Sequence, residues 1–171
     1  KTWNIGPTSV FANPLEHFGH MTLQRDLLDQ ALFLVNREPR RPRQASLRRA
    51  VSASYYALFH LLTDEASRRF FHAQPQGLRD RAKRAFAHGE MALVCRQFAK
   101  GRITELNEGT KSLIAAPLEN GISSVAAAFV ELQEARHLAD YDMSASFIKP
   151  EALRLTHLAQ TGVANWQGVK T

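Results

Sequence analysis

The sequence predicts an all-α chain folded as a four- to five-helix, up-and-down bundle. Apolar residues recur three or four positions apart over long stretches, as one face of a helix requires. Proline and glycine punctuate those stretches. No segment alternates apolar and polar residues with β-branched side chains, so strands are not expected. The 171 residues suffice for one domain with a hydrophobic core, and no period of about 20 to 50 residues repeats.

The elements follow in order. Residues 1–18 contain Gly6, Pro7, Asn13 and Pro14 and read as an irregular arm with two aromatic anchors, Trp3 and Phe11. The bundle is expected over residues 19–164. Its first helix spans 22–37, where Leu23, Leu27, Leu28, Ala31, Leu34 and Val35 share one face; Glu38 and Pro39 end it. The linker Pro39-Arg40-Arg41-Pro42-Arg43 is stiff and basic, either a solvated connection between antiparallel helices or a phosphate-contacting loop. A long second helix is expected over 45–71. Leu47, Val51, Leu58 and Leu62 form its stripe, and the small Ala50, Ala53, Ser54 and Ala57 let a neighbour approach closely. Pro75 and Gly77 break the chain. A third helix covers 78–100, with an interruption at His88-Gly89 and a stop at Gly101.

Residues 102–116 lack periodicity and read as a loop. Pro117 suits the first position of a helix running to residue 140, with Ile122, Val125, Ala126, Phe129, Val130 and Leu132 on its inner side. Residues 144–149 form a short connection. Pro150 opens the last helix, which carries Leu153, Leu155, Leu158 and Val163 inward, and residues 165–171 are expected to fray as a C-terminal tail.

Composition narrows the function. The 22 Lys and Arg against 16 Asp and Glu give a net charge of +6, and 16 of the 22 are arginine. Guanidinium forks match phosphate oxygens and stack on bases, so an Arg-rich basic domain invites a nucleic-acid reading. A basic solvated surface is the plain alternative. No apolar run approaches the roughly 20 residues needed to cross a bilayer. The chain starts at Lys1 rather than Met, so the numbering is expected to begin inside a longer or trimmed chain, and residues 1–20 do not read as a signal peptide. The lone Cys95 fits a reducing compartment, and a cytoplasmic location is expected.

Two segments carry polar groups that a plain amphipathic helix would not need: Arg48 to His60, and Glu134 to Asp142. Arg136 lies seven residues after Phe129 and four after Leu132, on a core-facing stripe where a guanidinium is costly without partners. Asp140, four residues on, is within reach along the helix. The pair is either a structural tie between helices or a guanidinium held at a groove for phosphate. Tyr56 and His60 are four apart and Arg49 is seven before Tyr56, a stripe suited to holding a phosphate and stacking a base, or to burying a satisfied tyrosine. Tyr55 points elsewhere and reads as core. His88 is suited to acid–base work near neutral pH or to capping a helix end. The seven histidines show no His-Glu-x-x-His spacing and one cysteine cannot build a zinc site, so no metal is expected; no nucleotide-loop or nucleophile-elbow motif occurs, and no cofactor is expected.

Ser54-Tyr55-Tyr56-Ala57-Leu58-Phe59-His60 and Arg136-His137-Leu138-Ala139-Asp140-Tyr141 together resemble the HEPN superfamily, in its bacterial branch with Tyr-Tyr-Ala-x-Phe-His and Arg-x-x-Ala-Asp-Tyr motifs. His88-Gly89 is similar to an element that this branch carries between them. The resemblance spans about residues 20–160. It implies a HEPN-like helical bundle, frequent homodimerisation, RNA or nucleotide binding or metal-independent RNA cleavage, toxin–antitoxin or defence roles, and a nucleotidyltransferase-type partner. Active members use an Arg, four to six residues, then a His, late in the bundle. Here Tyr141 stands five residues after Arg136, and His137 points about 100° away on an ideal helix. Arg81 and His88 satisfy the spacing but lie in another helix.

The expected function is therefore a nucleotide- or RNA-binding module with Arg48, Arg49, Tyr56 and Asp140 as binding residues. The alternatives are a ribonuclease using Arg136 with His60, His88 or Tyr141, and a non-catalytic helical interaction module.

Overall fold

The computed structural model describes residues 22–112, 114 and 118–169. The expected arm over residues 1–18, the role given to Pro117, and residues 170 and 171 of the tail lie outside the described residues. Seven α-helices and no strand occur among those described: α1 (Leu23–Asn36), α2 (Gln44–Phe70), α3 (Gln76–Ala85), α4 (His88–Phe98), α5 (Glu108–Lys111), α6 (Asn120–Tyr141) and α7 (Lys149–Gly168). The all-α expectation holds. The helix count exceeds the expected four to five because α5 is a single short turn and the expected third helix is two.

α2 is the centre, packed against α1, α6 and α7. The cross-helix contacts fix directions. Gln44, at the start of α2, bonds both the N–H and the C=O of Phe147, just before α7. Ser54 Oγ donates to Thr156 Oγ1 at 3.1 Å, and Leu58 lies against Gly162, so α2 and α7 run the same way. Asn165 bonds Ser124 and Arg154 pairs with Glu131, so α6 runs against α7. With α1 joined to α2 by a short linker, the four long helices make an up-and-down bundle, and α4 lies on α6.

The small residues of α2 explain the close packing. Ala50, Ser54 and Ala57 are fully buried, and Ser54 shares its one hydroxyl proton between Thr156 Oγ1 and the carbonyl of Ala50. A Cβ at Gly162 would sit 3.3 Å from Leu58 Cδ2, so the glycine sets how near α7 comes.

The break in the expected third helix falls at Phe86-Ala87, whose extended backbone turns α4 away from α3. α3 buries none of its residues and is a basic surface helix, whereas α4 buries Ala92. Gly101 does end α4, with φ +71, a left-handed conformation that glycine adopts without penalty. Within the expected loop, a 3₁₀ turn (Ile103–Glu105) precedes α5, whose start is capped by Asn107 Oδ1 accepting from the Thr110 N–H at 2.8 Å. Pro150 stands in the first turn of α7 as expected. The tail does not fray at residue 165: α7 runs on to Gly168, and Trp166 packs against the core. No helix among the described residues is long and apolar enough to cross a membrane.

Candidate functional site

One row of α2 side chains, Arg48, Ser52, Tyr56 and His60, is spaced four apart and so lines a single face. It meets Arg136 and Asp140 of α6, also four apart.

Arg48 begins the row. Its guanidinium donates to the carbonyls of Ala139 (3.0 Å), Asp142 (2.9 Å) and Ala145, closing the C-terminal end of α6. The Ala139 carbonyl is one that a helix leaves without a partner, and a cation there also suits the helix dipole; Asp142 and Ala145 lie just past the end of α6. Arg48, expected as a binding residue, thus directs three of its donors to holding α6 to α2.

Ser52 comes next. It donates to Asp140 Oδ1 at 2.5 Å. Asp140 Oδ2 lies 2.7 Å from Arg136 Nε. That N–H is not aimed at the oxygen, so the contact is an ion pair without hydrogen-bond geometry. A terminal nitrogen of Arg136 donates to Tyr56 Oη at 2.8 Å and to Tyr141 Oη at 3.2 Å. The guanidinium carbon stands 5.4 Å from the Tyr56 ring centre and 5.0 Å from that of Tyr141. The Arg136 side chain is 12% exposed and that of Asp140 21%, so the pair is neither open nor sealed. Burial works against the Arg136 charge, but Tyr56, Asp140 and Tyr141 outweigh it and the guanidinium is held more firmly charged than usual.

Tyr56 carries the row onward. Its ring stacks on His60, centroids 6.0 Å apart. His88 opens α4 rather than capping it, and its ring stacks on Phe59 at 4.2 Å. Tyr55 is fully buried, as its expected core position requires, yet its hydroxyl reaches His88 Nδ1 at 2.6 Å.

Arg136, Asp140, Tyr141, Tyr56, His60 and His88 are therefore gathered in one cluster. Arg49 stands beside it, exposed, and its guanidinium makes no hydrogen bond or ion pair among the described residues. With Arg48, Asp140 and Tyr141 it lines a hollow of about 400 Å³. A second hollow, of about 300 Å³, lies where His60 meets Asp64 and Lys83. Tyr141 is 62% exposed, and the exposed His137 ring lies 5.3 Å from it. Arg81 is exposed on α3.

Sequence reasoning missed Ser52 and the capping role of Arg48. The four-residue spacing to Tyr56 and His60 was the available signal for both. Among the described residues, no three His, Cys, Asp or Glu side chains gather as a metal would need.

Both histidines of the cluster resist protonation. Burial lowers the His60 pKa first, and the Lys83 charge adds to it. Burial also lowers that of His88 first, followed by the charges of Arg136 and His60. The unfolded chain takes up these protons near pH 6.5, before the folded one does. Stability is therefore full above that pH and declines as pH falls through the lowered folded values. Thermal melts are expected to show a falling Tm from pH 7 to pH 5. The fall should flatten in a His60→Gln, His88→Gln double variant. An equal slope in parent and variant would assign the effect to other groups.

No protein-family model matches the chain, and neither a curated protein nor a solved structure gives a significant match.

Proposed function

We propose that this chain is a HEPN-like nucleotide- or RNA-binding module whose site is the Arg136 cluster and the hollow beside it. The observation that carries the reading is a guanidinium on the inner side of α6, held by Tyr56, Tyr141 and Asp140 next to a hollow that Arg49 and Tyr141 line. A phosphate in that hollow has the uncommitted Arg49 as a charged donor. The exposed rings of Tyr141 and His137 supply stacking surfaces for unpaired bases, the mode by which proteins read single-stranded RNA. The toxin–antitoxin or defence setting, the nucleotidyltransferase-type partner and the homodimer belong to this proposal through the resemblance alone, and a cytoplasmic location through the lone Cys95.

The cluster suits binding better than cleavage. Tyr141 stands in the place of the family's histidine, and Arg136 is already engaged with two hydroxyls and a carboxylate. A purely structural role would suit a fully enclosed Arg136 and Asp140, and both keep some exposure.

The test is salt-dependent binding of a single-stranded RNA oligonucleotide. Each phosphate neutralised contributes about 0.7 to the slope of log K against log salt. Arg49→Ala should reduce that slope by about 0.7 to 1 and weaken binding of all sequences alike. An unchanged slope would remove Arg49 from the phosphate path, and salt-insensitive binding by the parent would remove the reading altogether.

A further inference from the structure

We infer that Tyr55 is a positioning residue that fixes His88 as a neutral imidazole protonated on Nε2, so that His88 offers a ligand a hydrogen-bond donor rather than a base. The inference deepens the proposed binding role and, for the ligand, rests on it; the tautomer does not.

A buried hydroxyl needs a hydrogen-bond partner. Tyr55 is fully buried, and His88 Nδ1 at 2.6 Å is its one hydrogen-bond partner among the described residues. Two arrangements fit that distance. If Nδ1 carried the proton and donated it, the Tyr55 O–H would be left buried with no acceptor, a costly state. If Tyr55 donates, both groups are satisfied and the remaining imidazole proton sits on Nε2. Burial favours the second arrangement further, because it raises the Tyr55 pKa well above that of an ordinary phenol and keeps its proton in place.

The imidazolium form is disfavoured from every side. Tyr55 cannot accept from Nδ1 without orphaning its own proton. His88 is the first residue of α4, where the positive end of the helix dipole opposes a cation. Arg136 of α6 and His60 of α2 add like charge, and Phe59 covers one ring face. Tyr56, the remaining titratable ring beside it, stands edge-on at 5.9 Å.

Nε2 itself is unpartnered among the described residues and keeps some contact with solvent, since it is not one of the enclosed polar atoms there that lack a partner. A neutral N–H near a fixed guanidinium suits an acceptor oxygen, such as a phosphate oxygen or a ribose hydroxyl, and does not lose that ability as pH rises past 7.

The experiment has two arms on the full chain. In the first, ¹⁵N-labelled parent, Tyr55→Phe and His88→Gln are compared by long-range imidazole NMR at pH 7, the last assigning the His88 signals. Expected are an unprotonated Nδ1 and a protonated Nε2 in the parent, with the two forms mixing in Tyr55→Phe. A protonated Nδ1 or an imidazolium in the parent, or an unchanged pattern in Tyr55→Phe, overturns the inference. In the second arm, the same RNA oligonucleotide is titrated into His88→Ala and His88→Gln. Glutamine can replace the Nε2 donor but cannot take a proton. Affinity should fall about 2- to 10-fold in the alanine variant and recover in the glutamine one. Equal loss in both overturns the donor role while leaving the Arg136 site standing. No RNA binding by the parent overturns the proposed function, and the donor role with it, whatever the tautomer.

Discussion

Replacing Arg136 with alanine is expected to weaken RNA binding by about 10- to 100-fold: its second terminal nitrogen has no partner among the described residues, and a hydrogen bond from it to a phosphate contributes roughly 1.5–3 kcal/mol, each 1.4 kcal/mol being tenfold. The same change strands Asp140, which keeps only Ser52 as a partner among the described residues. A fully buried pair broken in this way would cost about 3–5 kcal/mol; partial exposure of both side chains reduces that to roughly 1–3 kcal/mol. Arg136→Lys keeps the charge but not the fork that reaches Tyr56 and Tyr141 while Nε faces Asp140, so it should fall between parent and alanine in both measurements. Fluorescence anisotropy with labelled RNA and urea unfolding, run on the same samples, separate the two effects. A folded Arg136→Ala protein that binds RNA as the parent does would leave the cluster a structural tie.

The pairing of Arg136 with Asp140 was legible in the sequence because it is local: four residues on one helix put the two side chains side by side. The tyrosines that complete the cluster were legible only as candidates. Tyr141 shares the helix, but Tyr56 lies 80 positions from Arg136, and its contact depends on how α2 and α6 pack. Arg48 shows the limit more clearly. As a residue type it looked like one more phosphate-binding arginine, yet its three acceptors are main-chain carbonyls 91 to 97 positions away, which no side-chain pattern advertises. The helices followed the same rule. Gly101 and Pro150 mark ends by backbone chemistry intrinsic to the residue, and both were read correctly. The interruption expected at His88-Gly89 falls two residues earlier, at Phe86-Ala87, where no glycine or proline fixes its position. Nor did the polar Asn165-Trp166-Gln167-Gly168 announce that Trp166 would extend α7 by packing on the core.

Phe129→Ala should be the most destabilising core change, at about 3–5 kcal/mol, because the ring is fully buried and the surrounding helices can close only part of the cavity. Phe33→Ala is the matched control: the same residue type on α1, 66% exposed, expected to change stability by no more than about 0.5 kcal/mol. Nothing in residue type separates these two phenylalanines; only their position against α2 does. The effect of Phe129→Ala should also reach the site. Its ring lies 5.5 Å from that of Tyr55, and Tyr55 in turn holds His88, so space opened beneath Tyr55 loosens the hydroxyl that orients the imidazole. Urea unfolding measures the stability loss, and RNA titration under folding conditions measures the second effect. Binding that weakens in Phe129→Ala but not in Phe33→Ala would tie the core to the site through Tyr55. A loss of stability below about 1 kcal/mol would mean that the core around Tyr55 is not packed as the structure has it.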